Sequence, residues 1–227
     1  MKVVQHSLGT VIETDSYIGL LGNKEAQISH LQQAFPHLNF KRIKQVHKDR
    51  IVHTSAQAID FSSEADAHYT SEKNLGLCIS TADCIPVFIY HHEPRWIAGI
   101  HAGWRGVENR IVLKTIQALK RNGCKSENLQ IAVGPHIQLS SFEVTNDVRD
   151  LLLKCFDGEK RSVWNEISTT KSKVDLHQIL KFQLLESGID LHQTYFEFKD
   201  TVTDLSYHSF RRDKESSGRQ LSFIALK

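Results

Sequence analysis

The sequence predicts an α+β fold, a mixed β-sheet with helices packed outside it, built as a single domain over residues 1–227. Three observations predict it. A chain of 227 residues with 40% hydrophobic and 24% charged side chains has enough apolar material for one sizeable core. Short apolar runs and segments of helical period are interleaved irregularly, unlike the regular alternation of a doubly wound sheet. No internal repeat, low-complexity tract or Pro/Gly/Ser-rich linker divides the chain.

The elements follow in order. KEAQISHLQQAF (24–35) carries Ala26, Ile28, Leu31 and Phe35 at helical spacing, and Pro36 ends that helix. KRIKQVHKDRIVH (41–53) alternates polar and apolar residues, which predicts two strands around a turn near Lys48 and Asp49. LGLCIS (75–80), PVFIY (86–90), WIAGIH (96–101) and LQIAVG (129–134) read as short buried strands. Between the last two, residues 107–123 predict one helix with Val107, Ile111, Thr115 and Leu119 on a single stripe and Gly123 as its stop. WIAGIH, this helix and LQIAVG thus form a strand-helix-strand unit. Two further helices are expected, one capped by Asn146 and one running from an Asp175 cap to Gly188, and LSFIAL (221–226) closes the chain as a strand.

Charge and composition narrow the function. A net charge of +2 gives little reason to expect a nucleic-acid or membrane partner. MKVVQHSLGT lacks the apolar core of a signal peptide, and no apolar run reaches membrane-spanning length, so a cytoplasmic location is expected. The four cysteines show no C-x-x-C pairing, which fits a reducing compartment and leaves each free as a thiolate ligand or nucleophile.

Three segments place a possible metal ligand at a strand edge: Gln45-Val46-His47, Thr81-Ala82-Asp83-Cys84-Ile85-Pro86, and Gly99-Ile100-His101-Ala102-Gly103-Trp104-Arg105-Gly106. Each alone also fits a structural residue, since a lone strand-end histidine often serves a hydrogen bond and a lone cysteine often packs as a hydrophobe. Together His47, Cys84 and His101 are separated by 36 and 16 intervening residues. That spacing disfavours a zinc finger and favours ligands converging from separate strands, with a coordination position left open as in catalytic zinc sites. Asp83 is the nearest carboxylate in sequence, a candidate proton carrier or a residue that orients a ligand histidine. Arg105, beside glycines at a helix start, is a candidate for holding an anion.

At these segments the sequence resembles the YfiH-like, laccase-domain family of purine nucleoside phosphorylases, formerly described as multicopper polyphenol oxidases. The resemblance rests on QVH at 45–47, ADAHYT at 65–70, TADCIPV at 81–87, HAGWRG at 101–106, GPHI at 134–137, FEV at 142–144, and FRRD followed by SGR near the C-terminus. It implies a layered sandwich of mixed sheets flanked by helices. It also implies a catalytic zinc held by His47, Cys84 and His101, with phosphorolysis of adenosine, inosine, guanosine and methylthioadenosine and deamination of adenosine. Purine nucleosides and phosphate are then the partners, with a monomer the favoured oligomeric state. His136 stands where the family usually carries cysteine. Copper also suits Cys and His ligands, although none of the 13 histidines forms a His-x-His pair of the multicopper kind. Two other readings stay open: a cysteine hydrolase with Cys84 as nucleophile, and a metal-binding protein without turnover.

Overall fold

The computed structural model describes residues 1–227. The chain begins with an antiparallel meander of β1 (Lys2–His6), β2 (Gly9–Glu13) and β3 (Tyr17–Gly22). α1 (Ile28–Ala34) and β4 (Asn39–Arg42) follow, then β5 (Ile51–His53), β6 (Ala67–Thr70), β7 (Leu75–Thr81), β8 (Ile85–His91) and β9 (Trp96–Ala102). Next come α2 (Trp104–Glu108), α3 (Ile111–Arg121), β10 (Leu129–Val133), β11 (Glu143–Thr145) and α4 (Asn146–Lys154). The chain ends with β12 (Trp164–Glu166), β13 (Lys171–Val174), α5 (Leu176–Glu186), β14 (Thr194–Phe196), α6 (Phe210–Asp213) and β15 (Gln220–Leu226).

Two six-stranded mixed sheets result, in the orders β1-β2-β3-β15-β7-β4 and β14-β10-β8-β9-β6-β5, beside a small β11-β13-β12 sheet. The period-two alternation of the strands explains how they stack. On β8, Ile85, Val87 and Ile89 join the cluster beneath α2 to α5, while Phe88 and Tyr90 turn the other way, toward Leu77, Ile79 and Ile224 of the first sheet. On β15, Ile224 and Leu226 face the second sheet, whereas Leu221, Phe223 and Ala225 face Leu31 and Phe35 at α1. The layers therefore run helix, sheet, sheet, helices, the flanked sandwich of mixed sheets that was expected. Each fully buried Leu, Ile or Phe in these layers contributes about 1.5–3 kcal/mol.

Several elements differ from the sequence expectation, each for a visible reason. α1 starts at Ile28 and not at 24, because the Ala26 carbonyl accepts from Leu221 N of β15 at 2.9 Å and is unavailable to a helix. The predicted 107–123 helix is two helices. Val107, Ile111, Thr115 and Leu119 are all buried as the stripe requires, but Arg110 adopts a left-handed backbone (φ 56°) between α2 and α3. Its guanidinium is drawn to Glu186 at 3.2 Å and to the Cys155 carbonyl at 3.2 Å. β9, these helices and β10 do form a strand-helix-strand unit, with β8 inserted between and antiparallel to both. Asn146 is not a cap: Thr145 holds that position, and the Asn146 amide bonds Thr169 and Ser172. Asp175 does cap α5, accepting from Gln178 N at 2.9 Å, and Gly188 follows it at φ 78°.

The 41–53 segment is the deviation that builds the site. Its two strands belong to different sheets, β4 to the first and β5 to the second, so the intervening residues cross the edge of the sandwich. The β7–β8 connection at 82–84 crosses at the same end.

Candidate metal centre

These crossings bring the three ligand candidates together. His101 lies next to the end of β9. Cys84 immediately precedes β8, whose Ile85 pairs with Ala102, and His47 sits on the β4–β5 crossing. Their ligand atoms all lie within 4.8 Å of one another, with His101 buried, Cys84 half-buried and His47 exposed. The histidine rings meet edge to face, centroids 4.7 Å apart.

A carboxylate that sequence reasoning left unused organises the group. Asp66, fully buried, accepts from His101 Nδ1 at 2.8 Å and from the backbone N–H groups of Val46, His47 and Lys48 at 3.3, 2.9 and 2.7 Å. Wrapping three successive amides around one carboxylate puts His47 in the left-handed region (φ 56°). With Nδ1 donating to Asp66, the other ring nitrogen of His101 presents a lone pair to a metal, the usual carboxylate–histidine support. Gln45 ties the crossing to β7 by exchanging two 2.8 Å bonds with the Ser80 backbone. Gly103 supplies the floor: a Cβ there would stand 3.0 Å from Cys84 Sγ and 3.5 Å from His47 Cδ2. Any side chain there would crowd the sulfur and force it to shift by a few tenths of an ångström.

The electrostatics suit a soft cation. Burial pushes the Cys84 thiol up, but the adjacent His101 and His47 imidazoles overcome it and bring the thiol well below its usual range. Burial likewise pushes His101 down, and Cys84 with Asp66 reverses that and raises it. A thiolate, two imidazoles and a supporting carboxylate fit a zinc-type ion and leave a coordination position for water or substrate.

The group forms one wall of a cavity of about 770 Å³, large enough for a nucleoside-sized molecule. Phe61, Trp104, Phe142 and Phe210 line it with aromatic surface, and Arg211, Lys214 and Arg219 line it with positive charge. Arg211 lies in the FRRD stretch, Arg219 in SGR and Lys214 between the two, and the cationic character of this segment was the one signal that could have marked them. Asp83 also lines the cavity but does not orient a ligand histidine: Asp66 does that. The Asp83 carboxylate accepts from Thr201 Oγ1 and from Arg211 N, both at 2.6 Å. Arg105 is exposed, its guanidinium 4.3 Å over the Trp104 ring, and Trp104 rather than Arg105 faces the cavity. The α2 turn points the arginine outward. No helix is long and apolar enough to cross a membrane.

Fold and site together define a two-sheet, helix-flanked sandwich with a His/Cys/His ligand group at a cavity wall. The family model described as multi-copper polyphenol oxidoreductase laccase matches residues 22–227, and the chain belongs to that family. Among its relatives is a purine nucleoside phosphorylase of Bacteroides thetaiotaomicron, 36% identical over 178 residues, which are 76% of this chain and 65% of that protein, just under two thirds. A purine nucleoside phosphorylase of Deinococcus radiodurans is 32% identical over 83% of this chain and 70% of its own length. Among solved structures, Bacillus licheniformis YfiH superposes with a TM-score of 0.82 at 25% identity, covering 87% of this chain and 79% of YfiH. Neisseria meningitidis NMB0706 gives 0.84 over 96% of this chain and 98% of its own, a likeness of fold at 22% identity.

Proposed function

We propose that the protein is a metal-dependent purine nucleoside phosphorylase, with zinc as the metal, His47, Cys84 and His101 as its ligands, and the nucleoside seated in the adjoining cavity. One observation carries the reading: three ligand atoms within 4.8 Å of one another on the wall of a 770 Å³ aromatic cavity. The names of the relatives support the reaction class. A single three-ligand group suits one metal ion better than a multinuclear copper cluster.

In phosphorolysis a phosphate oxygen forms a bond to ribose C1′ while the bond from C1′ to the purine nitrogen breaks. The electron pair leaves on the purine, which takes up a proton. Adenosine, inosine, guanosine and methylthioadenosine share that bond and are the proposed substrates. Zinc, when bound, supplies Lewis acidity and a more acidic water at neutral pH. The same centre then fits deamination of adenosine, in which water adds at C6 and ammonia departs. Asp66 fixes the His101 ring and Gly103 keeps the thiolate unobstructed. The aromatic side chains offer stacking surface for the base and exclude water from it. Asp83, with both oxygens engaged, is a positioning residue that holds the Cys84 turn.

The test incubates the zinc-loaded protein and its His101→Ala variant with adenosine, inosine and methylthioadenosine, with and without phosphate. Phosphate-dependent release of free base is expected, reduced on the order of a hundredfold or more in the variant. An undiminished variant places the chemistry elsewhere. Metal analysis of protein purified without added metal separates zinc from copper, and a catalytic thiol from a ligand.

A further inference from the structure

We propose that Arg211, Lys214 and Arg219 form a phosphate-group subsite in the cavity that His47, Cys84 and His101 also line; it rests on the reading above for the identity of the anion. Four cations line this cavity, Lys44, Arg211, Lys214 and Arg219, against one carboxylate, Asp83. Lys44 is neutralised by Glu64 at 2.7 Å. Asp83 is occupied by Thr201 and by the Arg211 backbone. The remaining three cations come from one short segment, and none meets a carboxylate.

What each cation does meet leaves its charge free. Arg211 Nη1 donates to the Ser141 carbonyl at 3.2 Å, and its guanidinium stands 5.7 Å from the Phe142 ring centroid. Arg219 Nη1 donates only to the backbone carbonyls of Ser217 and Gly218, and its guanidinium stands 5.6 Å from the Phe210 ring centroid. Lys214 Nζ makes no hydrogen bond or ion pair. Its backbone, at φ 53° and ψ −133°, lies in a region costly for any residue but glycine. The two arginines are held in direction by carbonyls and rings while other N–H donors of each guanidinium stay available. Such partly fixed forks match phosphate oxygens, and a nearby ammonium adds charge.

The placement couples the anion to the metal wall. The Arg211 N–H is fastened by Asp83, the residue before Cys84, so one carboxylate fixes both the ligand turn and the cationic segment. A phosphate held here shares one cavity with a nucleoside beside the metal ligands. Free phosphate and the phosphate of a nucleotide present the same oxygens, and the subsite recognises that shared group.

Binding is measured without turnover. Inorganic phosphate is titrated calorimetrically into the zinc-loaded protein and into Arg211→Ala, Lys214→Ala, Arg219→Ala and Arg211→Lys, with Arg121→Ala, at the C-terminal end of α3, as control. The expected result is a Kd raised about tenfold in Arg211→Ala, several-fold in the other two alanine variants, and partly restored in Arg211→Lys. Lys214 and Arg219 are exposed, so their variants report even if Arg211→Ala fails to fold. A parallel titration with adenosine 5′-monophosphate distinguishes the sources: tighter binding of whichever ligand, lost in the same variants, supports the subsite and names its donor. Kd values unchanged within twofold, or raised equally in Arg121→Ala, overturn it. Phosphate binding lost in the variants of a protein that cleaves no nucleoside upholds the subsite and rejects the phosphorylase reading. Full phosphorolysis with an unaltered phosphate KM in all three alanine variants does the reverse.

Discussion

Asp66 shows how much a single buried carboxylate sets at the scale of the residue. It carries no motif-like spacing to the ligands and lies within ADAHYT, where nothing local distinguishes a structural aspartate from one that aims a histidine. Its role exists only once β6 lies beside β9 and the 46–48 amides close around it. The group of ligand candidates was readable, because strand-edge His and Cys residues with wide spacing are unusual enough to stand out. For Arg105 the sequence gives the order HAGWRG but not which side of the turn faces the cavity, and its guanidinium lies over Trp104, outside the cavity lining. Asp66→Asn keeps the size and removes the charge, so a ten- to hundredfold loss of zinc affinity is expected, measured by competition with a chromophoric chelator. The same substitution turns an amide nitrogen toward two of the four donors that Asp66 now satisfies, and urea unfolding should show a loss of about 1–3 kcal/mol. Unchanged zinc affinity would mean that the His101 ring is oriented without this partner.

Elements were predictable where their pattern was local. β8, β9 and β10 are mostly apolar runs, broken in β10 only at Gln130, and α5 has both its cap and its glycine stop in the sequence. β1 escaped because all five of its residues are exposed and bury no face. The separation of β4 from β5 escaped because the partner of β4 is β7, more than thirty residues further on. The turn at 82–84 is likewise set from a distance: Asp83, at φ 86°, is held by Thr201 and Arg211, over a hundred residues away. A strained backbone of this kind persists only while its partners hold it. Asp83→Ala should therefore cost about 3 kcal/mol and Thr201→Val about 1.5 kcal/mol. Their double-mutant cycle should show a coupling on the order of 1 kcal/mol, since both remove one bond. Strictly additive costs in urea unfolding would show that the two residues stabilise the turn independently.

Over the whole molecule, the layered packing buries histidines that no ligand set uses, and this makes the fold acid-sensitive. His136 and His177 stack at 9° with centroids 5.5 Å apart, and His136 Nε2 and both His177 ring nitrogens lack hydrogen-bond partners. Burial holds both near a pKa of about 4; the Gly134 carbonyl, then Asp175 and Asp200, oppose it at His136, while Lys181 lowers His177 further. Burial also holds His68, between the sheets, at about 3. The unfolded chain protonates these three histidines near pH 6.5, before the folded protein does. On acidification from about pH 6.5 toward pH 4 the unfolded state takes up protons the native state refuses, so stability is complete at neutral pH and falls through that window. Each such histidine should cost about 2 kcal/mol between pH 7 and pH 5. His136→Cys places at this position the residue its family usually carries, and a buried thiol stays neutral throughout the window. The variant should retain the fold and lose about 2 kcal/mol less than the parent between pH 7 and pH 5, measured by urea unfolding at each pH. An equal loss in both proteins would show that His136 accepts its proton in the folded state, through water or a shift of its stacked partner.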